Sequence, residues 1–310
     1  MTPRLTWTDL GTSLRGRLEE LLGEPVVHTH SCRGGFSPSS AEILSGASGR
    51  SMFVKAVREQ DNPDSPALNR AETTVLEQMP TQAPVPRLVD AFDHGDWFVL
   101  VTEAAPGALP QQPWTARQLD QVLAALEALQ AATTPCPVAG LPTVPEHLGP
   151  DMLGFERVAE NLPDDLDPWL AERLDALRAA ALRGIDALAG DTLSHSDVRA
   201  DNMLITDDGD VSLVDWAHAS RGSRVSDALQ LLSSIDDVDG TLRVNDRVDE
   251  VLARHGHPRR MGTDVLVGIL GFFVDAARLP HNPTLPLLGE HRRRRRDSLF
   301  AIVRERWGGG

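Results

Sequence analysis

The chain has 310 residues and a formal net charge of −15, from 30 Lys plus Arg and 45 Asp plus Glu. This length is enough for two domains, each with its own hydrophobic core. The excess of acid argues against a nucleic-acid partner, because two polyanions repel each other. The two cysteines, Cys32 and Cys136, match no metal or redox spacing, which favours reduced thiols in a cytoplasmic protein.

Neither export nor membrane insertion is expected from the sequence. Charged residues interrupt the first 22 positions, unlike the apolar region of a signal peptide. The most apolar stretch, 265–274, is about half of the roughly 20 residues that a membrane helix needs. We therefore expect a soluble, cytoplasmic monomer or homodimer without a membrane partner.

Short β-favouring segments separated by Gly and Ser clusters dominate the first third of the chain, which is typical of an antiparallel sheet. The predicted strands are 26–32, 41–46, 52–57, 87–92 and 97–103. Between the third and fourth strands, Ser65 before Pro66 predicts the N-cap of a helix that continues to Met79. The Pro/Gly-rich segment 104–110 predicts the boundary between two lobes.

Helical periodicity dominates the rest of the chain, with apolar stripes in 119–129 and 169–188. The exception is a short hairpin, "NMLIT" and "VSLVD", joined by the turn "DDGD". The predicted class is α+β, with a small antiparallel-sheet N-lobe (1–103), a hinge (104–110) and a larger, mainly helical C-lobe (111–310).

Three oxygen-bearing side chains cluster at the ends of this hairpin. Asp197 and Asn202 lie just before one strand of the hairpin, and Asp215 lies just after the partner strand. Because a tight hairpin brings its outer ends together, we expect Asn202 and Asp215 side by side with Asp197 nearby. Oxygen ligands of this kind suit Mg²⁺, which binds a few protein oxygens and completes its octahedron with water and phosphate.

The spacing of these residues resembles that of a known family. His195-x-Asp197, with Asn202 five positions later and Asp215 thirteen beyond that, resembles the catalytic loop and metal-binding aspartate of protein kinases. The "DW" that follows and the segment lengths are more similar to the aminoglycoside phosphotransferase family, which includes relatives of choline and homoserine kinases. The resemblance implies a bilobal, protein-kinase-like fold.

Residues after the catalytic loop also match the pattern of the family. Asp215, Trp216, Gly222 and Asp227 match the family pattern D-W-x-x-x-x-x-G-x-x-x-x-D. One departure lies upstream, where Ser196 stands at a position that is often Gly in the family. This change replaces one small residue with another.

The resemblance implies roles for the matching residues. Asp197 would accept or orient the proton of the acceptor hydroxyl, and Asn202 and Asp215 would hold Mg²⁺ on the phosphate oxygens. Arg199 falls where some related loops have a cation near the γ-phosphate. His195 is interpreted as a structural group of this segment rather than as an acid or base.

Lys55 is the only lysine in the chain. It lies on the third predicted strand, where kinase-like enzymes have a lysine that contacts the α- and β-phosphates of ATP and pairs with a glutamate of the following helix. Glu72 is preferred over Glu77 as this partner. Lys suits the position because its ammonium is a compact point charge, whereas the guanidinium of Arg is a broad fork.

Two further segments resemble the nucleotide-binding parts of the family. Gly34 and Gly35 lie between the first two strands, where the nucleotide-covering loop belongs, and would let the backbone approach phosphate. The segment from Glu103 to Ala105 resembles the hinge of the family, whose backbone groups would hydrogen-bond adenine. An ordinary turn and an ordinary linker are the alternative interpretations.

The C-terminal half has an acidic and a basic feature. The run of five arginines at 292–296 is interpreted as a solvated part of a helix rather than as a nucleic-acid contact. Eight acidic residues would attract a polyamine if they lined a cleft, and would otherwise form a solvated helical face. They are Asp236, Asp237, Asp239, Asp246, Asp249, Glu250, Asp264 and Asp275.

The sequence thus predicts a small-molecule kinase that uses ATP or GTP with Mg²⁺ and phosphorylates a hydroxyl of an aminoglycoside or similar cationic antibiotic. A kinase of choline, homoserine or a sugar is the near alternative. A catalytically silent, nucleotide-binding protein of the same fold is another. A hydrolytic metal centre at His195 and Asp197 is disfavoured, because the sequence offers no further histidine at a suitable spacing.

Overall fold

The computed structural model describes residues 5–32, 40–237, 239–280 and 288–308. The chain forms two compact units, one of Met1–Pro110 with Ala200–Ala219 and the other of Gln111–Arg199 with Ser220–Gly310. The predicted hairpin therefore belongs to the same unit as the N-terminal sheet. The division into an N-lobe, a hinge and a C-lobe stays a prediction.

A five-stranded antiparallel sheet forms the framework of the first unit, in the order β1-β2-β3-β5-β4. Its strands are β1 (Val26–Ser31), β2 (Ser40–Gly46), β3 (Ser51–Arg58), β4 (Leu88–His94) and β5 (Trp97–Glu103). All five correspond to the strands predicted from the sequence. In the register of the sheet, Lys55 of β3 lies between Ala41 of β2 and Leu100 of β5, so the single lysine occupies the central strand.

Two helices pack against the sheet. The first, α1 (Thr12–Leu22), contributes Leu14, Leu18 and Leu22 to a core that also contains Val54 and Ala56 of β3. Because side chains alternate along a strand, Lys55 points to the face opposite this core.

The second helix, α2 (Ser65–Glu77), contacts β3, β4 and β5. Its start corrects the sequence prediction in one detail. The N-cap position is Asp64 rather than Ser65, because Ser65 is already helical, and the helix ends two residues before Met79. Pro66 lies in the first turn, where its missing N–H leaves no hydrogen bond unmade.

The second unit is mainly helical. Two short strands, β6 (Thr192–Ser194) and β9 (Ser220–Gly222), pair antiparallel. The helices in its described residues are α3 (Ala116–Ala132), α4 (Val144–Met152), α5 (Gly154–Glu160), α6 (Pro168–Glu172), α7 (Leu174–Ala187), α8 (Ser226–Ser233), α9 (Val244–Arg254), α10 (Arg259–Ala276) and α11 (Leu288–Trp307). The apolar stripe of 169–188 is divided between α6 and α7, because the backbone leaves the helical region at Arg173. No helix in the described part of the chain is both long and apolar enough to cross a bilayer.

The hairpin strands are β7 (Met203–Ile205) and β8 (Val211–Leu213). Within the first unit, backbone contacts join this hairpin to the segment 104–110. Ile205 exchanges two hydrogen bonds with Ala108, with N···O distances of 2.8 and 3.0 Å. The neighbouring Gly107 has φ +104°, and a Cβ there would fall 2.6 Å from the Ile205 carbonyl carbon. The segment 104–110 is therefore paired with the hairpin over part of its length.

Helix α10 is the centre of the second unit, and α7 approaches it closely enough to exclude side chains. At Gly184 of α7, a Cβ would overlap the backbone carbonyl of Asp264 on α10. The approach is reinforced by Arg183, whose guanidinium donates to both carboxylate oxygens of Asp264 at 2.9 and 2.7 Å. The contact between α7 and α10 therefore depends on glycine at this point.

We expect Gly184→Ala to lower the free energy of unfolding by about 1–3 kcal/mol, because the new methyl group must push the two helices apart. The measurement is urea-induced unfolding. Gly16→Ala is the control, since a Cβ at Gly16 in α1 meets nothing within 4 Å. It should stabilise the protein by up to about 1 kcal/mol through helix propensity. Equal stability of Gly184→Ala and wild type would contradict the close approach.

Candidate active site

Lys55 is held between two carboxylates within the first unit. Its Nζ lies 2.6 Å from Glu72 Oε2 and 2.8 Å from Asp215 Oδ1. The Lys55 side chain is 16% exposed and that of Glu72 is 5% exposed, whereas that of Asp215 is 43% exposed. The structure thus pairs Lys55 with Glu72, the preferred partner, rather than with Glu77.

The electrostatics of this cluster keep Lys55 charged. Burial opposes the charge of the ammonium, but the carboxylates of Glu72 and Asp215 outweigh that effect and raise the pKa of Lys55 above its usual range. A buried ion pair of this kind depends on both partners, because removal of one leaves an uncompensated charge. The ammonium therefore remains a cation throughout the physiological pH range.

Glu72 also fixes the segment that follows the hairpin. Its second carboxylate oxygen, Oε1, accepts a hydrogen bond from the Trp216 N–H at 3.3 Å. Asp215, just before it, has φ +71°, a left-handed conformation that Asp tolerates better than most residues. One carboxylate thus joins helix α2, strand β3 and the end of the hairpin. Sequence analysis found the Lys55 contact of Glu72 but missed this second one.

The hairpin brings Asn202 and Asp215 to the same end, as its geometry predicts. The Val214 N–H donates to the Asn202 carbonyl at 3.0 Å, so the ladder continues to the residue before Asp215. This donor set fits a hard cation such as Mg²⁺, which commonly takes one or two protein carboxylates and completes its shell with water and phosphate. In the described residues, no group of three or more His, Cys, Asp or Glu side chains could hold a metal by itself.

In the second unit, Asp227 fixes the segment that contains Asp197. Asp227 is 2% exposed and accepts three hydrogen bonds from this segment. The donors are Ser194 Oγ at 2.5 Å, the His195 N–H at 2.8 Å and the Ser196 N–H at 3.1 Å. The sequence pattern included Asp227 but gave it no role. Its carboxylate determines the backbone conformation of the predicted catalytic segment.

His195 and Arg199 flank Asp197 in that segment. His195 is 1% exposed, and its Nδ1 accepts from the Asp197 N–H at 3.3 Å, which agrees with the structural role expected of it. Arg199 Nε lies 3.6 Å from Asp197 Oδ1. The structure therefore places a cation beside the carboxylate predicted to receive the acceptor hydroxyl.

Ser196, the departure from the family pattern, has φ +61°. Glycine adopts this left-handed conformation without strain, which explains its frequency at the position. In this chain, Ser196 Oγ forms hydrogen bonds with Ser194 Oγ at 3.2 Å and with Ser220 Oγ. These contacts join the segment to β6 and β9 and offset the backbone strain.

Of the other residues predicted to bind the nucleotide, the structure describes only two. Gly34 and Gly35 lie outside the described residues. Glu103 ends β5, and its N–H donates to the Arg87 carbonyl at 2.9 Å. Ala105 follows in the segment that pairs with the hairpin. An adenine contact would therefore use the Glu103 carbonyl and the backbone of Ala105 rather than the Glu103 N–H.

The acidic residues of the C-terminal half do not form a free acidic surface. Asp236 is bound by two arginines, and Asp237 accepts from the N–H groups of Leu242 and Val244 at 2.9 and 3.1 Å. Five others also have partners: Asp239 with Thr241, Asp246 with Arg243, Asp249 with Arg306, Asp264 with Arg183 and Asp275 with Arg157. Most of the charge that the sequence suggested for a polyamine is therefore neutralised or used in capping.

Comparison with known proteins identifies the family. The sequence profile of the phosphotransferase enzyme family matches residues 29–261, a range that includes Lys55 and all the residues discussed from Ser194 to Asp227. The chain belongs to the phosphotransferase enzyme family. No curated protein matches the sequence significantly.

Solved structures of kinase-like phosphotransferases share the fold. An aminoglycoside phosphotransferase from Alicyclobacillus acidocaldarius is 17% identical, with 91% of this chain and 93% of that one covered at a TM-score of 0.55. Macrolide 2'-phosphotransferase MphH from Brachybacterium faecium is 16% identical, with 94% and 97% covered and a TM-score of 0.57. Spectinomycin phosphotransferase APH(9)-Ia, crystallised with ADP and spectinomycin, is 13% identical, with 96% and 98% covered and a TM-score of 0.60. The predicted α+β, kinase-like fold is confirmed.

We expect Asp227→Asn to lower the free energy of unfolding by about 2–3 kcal/mol, because an amide cannot accept all three hydrogen bonds and its NH₂ group opposes a backbone N–H. Chemical denaturation measures the loss, and faster hydrogen exchange at the His195 and Ser196 amides locates it. Asp186→Asn, at an exposed position of α7, is the matched control and should leave both unchanged. Normal protection of the two amides in Asp227→Asn would refute the assignment.

Proposed function

We propose that this phosphotransferase moves the γ-phosphoryl group of ATP or GTP to a hydroxyl of a small molecule. The observation that supports the proposal best is the largely buried Lys55 ammonium, held within 3 Å of Glu72 and Asp215. Phosphoryl transfer needs little covalent chemistry from the protein, so a fixed cation and correctly oriented carboxylates are the main requirements.

In this proposal the first unit binds the nucleotide. Lys55 contacts the α- and β-phosphates, and Glu72 keeps its side chain extended through the 2.6 Å ion pair. The Glu103 carbonyl and the Ala105 backbone hydrogen-bond the adenine or guanine base, and Gly34 and Gly35 keep the phosphate-binding role that the family resemblance implies. Asp215, which is partly exposed beside Lys55, would be the carboxylate ligand of the divalent ion.

Asn202 and Asp215 are the residues that would hold Mg²⁺. When bound, the ion neutralises charge on the phosphate oxygens of the nucleotide. Asp215 provides a carboxylate oxygen and Asn202 an amide oxygen, and both are hard ligands. The left-handed backbone of Asp215 and its contact through Lys55 to Glu72 orient that carboxylate before the ion arrives.

Asp197 orients the acceptor hydroxyl and accepts its proton. The hydrogen bond from its N–H to His195 and the fixed Asp227 network hold its backbone in place. Arg199, with its Nε 3.6 Å from the Asp197 carboxylate, supplies positive charge for the γ-phosphate as it transfers. The role of His195 is to maintain this conformation.

An antibiotic is the first acceptor class to test, since the structural neighbours are named for their action on aminoglycosides, a macrolide and spectinomycin. Identities of 13–17% do not transfer a substrate from any of them. The polycation argument from the acidic residues is also weakened, because most of those carboxylates have partners within the protein. An aminoglycoside therefore remains a hypothesis to be tested against acceptors of other charge.

Lys55→Arg should lower nucleotide affinity about tenfold or more, even though the charge is kept, because the broad guanidinium does not fit between carboxylates that lie 2.6 and 2.8 Å from Nζ. Isothermal titration with a non-hydrolysable ATP analogue and Mg²⁺ measures this effect. Arg50→Lys, at an exposed position just before the same strand, is the control and should bind normally. Unchanged affinity in Lys55→Arg would argue against a phosphate contact.

Transfer itself is tested with γ-labelled ATP or GTP and a panel of hydroxyl compounds that includes aminoglycosides. Asp197→Asn should reduce transfer at least about a hundredfold while leaving nucleotide affinity intact, because only proton acceptance is lost. Asp201→Asn, a change of the same kind in the same segment, is the comparison variant and should lose much less activity. Full activity of Asp197→Asn would exclude it as the base, and nucleotide binding without transfer to any compound would favour the catalytically silent alternative.

A further inference from the structure

A cavity of about 510 Å³ opens to solvent in the second unit, where the strand pair β6–β9 meets the ends of helices α3 and α9. It is lined by residues of 189–192, 222–224 and 254–257, together with Thr134 just after α3. Its size falls within the range of about 300–1,000 Å³ that is typical of small-molecule sites. None of the residues that line it has been assigned to the nucleotide, to the metal or to catalysis.

Backbone contacts fix one wall of this cavity. Thr192 of β6 pairs with Gly222 of β9, and a Cβ at Gly190 would overlap the Gly222 carbonyl. The Ser223 N–H then donates to the Leu188 carbonyl at 2.8 Å. Because the two segments approach this closely, the position of the cavity residues that follow β9 is set before any ligand enters.

The opposite wall is the end of α9, which is joined to α3 through one carboxylate. Glu127 Oε2 of α3 lies 3.1 Å from His255 Nε2 and 3.6 Å from Arg254 Nη1. The His257 N–H donates to the Leu252 carbonyl at 2.9 Å, which turns the chain back against the end of the helix. These contacts place one arginine and two histidines on the cavity from this side.

The charged groups of the cavity are more basic than acidic. Among the lining residues and their ion-pair partners, the arginines outnumber the carboxylates before either histidine adds charge. The arginines are Arg221, Arg224 and Arg254, and the carboxylates are Asp191 and Glu127. Such an excess attracts anions, although the chain as a whole carries a charge of −15.

Arg224 is the cation that no carboxylate compensates. Its side chain is exposed, and within the part of the chain that the structure describes no carboxylate lies at ion-pair distance from it. Arg254 differs, because it shares Glu127 with His255. The planar fork of a guanidinium matches two oxygens of a phosphate group, so Arg224 is suited to bind one.

Two further donors line the cavity beside Arg224. Ser223 is only 9% exposed, and its Oγ accepts from the Val225 N–H at 3.5 Å. Its hydroxyl proton and the ring of His257 have no hydrogen-bond partner among the described residues. A largely buried hydroxyl gains from an acceptor, because leaving a buried donor unpaired is costly.

We propose that this cavity binds a small phosphorylated molecule, whose phosphate group contacts Arg224 and accepts hydrogen bonds from Ser223 and His257. The volume exceeds what a phosphate group alone needs, so the rest of the ligand occupies the space toward the end of α3. The site is additional to the one proposed for phosphoryl transfer, and it does not depend on the identity of the acceptor.

Matched ligands test the chemical class. Isothermal titration at pH 7 and low salt uses glucose 6-phosphate, inorganic phosphate as the minimal anion, and glucose as the neutral counterpart. We expect glucose 6-phosphate to bind with a Kd below about 1 mM, at least about tenfold more tightly than glucose, and less tightly as ionic strength rises. Absence of binding by both phosphate compounds, or equal binding of glucose, overturns the proposal.

Variants test the residues. Arg224→Gln should weaken the binding of glucose 6-phosphate at least about tenfold, and His257→Gln about threefold or more. Arg117→Gln is the control, because it removes the same charge from an exposed position about 20 Å along α3 from the end that borders the cavity. Urea-induced unfolding checks that each variant folds normally. Equal affinities of Arg224→Gln and Arg117→Gln would contradict the assignment.

A last comparison separates this cavity from the proposed active site. Asp197→Asn should bind glucose 6-phosphate like the wild type, and Arg224→Gln should bind a non-hydrolysable ATP analogue normally. The opposite pattern, in which Asp197→Asn loses the sugar phosphate and Arg224→Gln retains it, would assign the ligand to the acceptor position and overturn the proposal. Failure of the wild type to bind nucleotide would overturn the proposed function alone.

Discussion

The ion pairs of Lys55 are the constraint on which the first unit depends. Burying an ammonium is costly unless carboxylates compensate it, and here Glu72 and Asp215 do so from a helix and from the end of a hairpin. Each carboxylate is held in turn, Glu72 by the Trp216 N–H and Asp215 by its left-handed backbone. Strand, helix and hairpin are therefore positioned by one cation. The chain's only lysine stands where a compact charge must fit between two acids.

In the second unit, arginines rather than a lysine form the buried ion pairs. Arg183 and Arg306 bind carboxylates on other helices, Arg295 binds Asp236 in the loop after α8, and the Arg306 side chain is fully buried. The guanidinium can satisfy several acceptors at once, as Arg306 does with Asp249 and the carbonyls of Asn245 and Arg259. Lysine could not replace it in these networks. Lysine thus provides a compact point charge in the sheet, and arginine provides a fork that binds several acceptors between helices.

Local patterns in the sequence predicted a large part of this structure. The five strands and the hairpin follow from periodicity and spacing within short segments, and the Lys55–Glu72 pair follows from the resemblance to kinase-like enzymes. Helix α1 was missed because its polar residues obscured the stripe of Leu14, Leu18 and Leu22. The partners of the acidic residues could not be predicted, since Asp236 and Arg295 are 59 positions apart, and Arg183 and Asp264 are 81 apart. Contacts at such separations depend on how helices pack, which no local pattern encodes.

Net charge was the least informative property for the acceptor. The chain has a total charge of −15, yet the field at a site depends on the groups within about a Debye length, roughly 8–10 Å in ordinary buffers. Near the start of α11, for example, ion pairs with Arg294 and Arg295 neutralise Asp236. Distant carboxylates are screened, and those in ion pairs contribute little. The charge that an acceptor meets is therefore set by the groups close to the site and by their ion pairs, and not by the total charge of the chain.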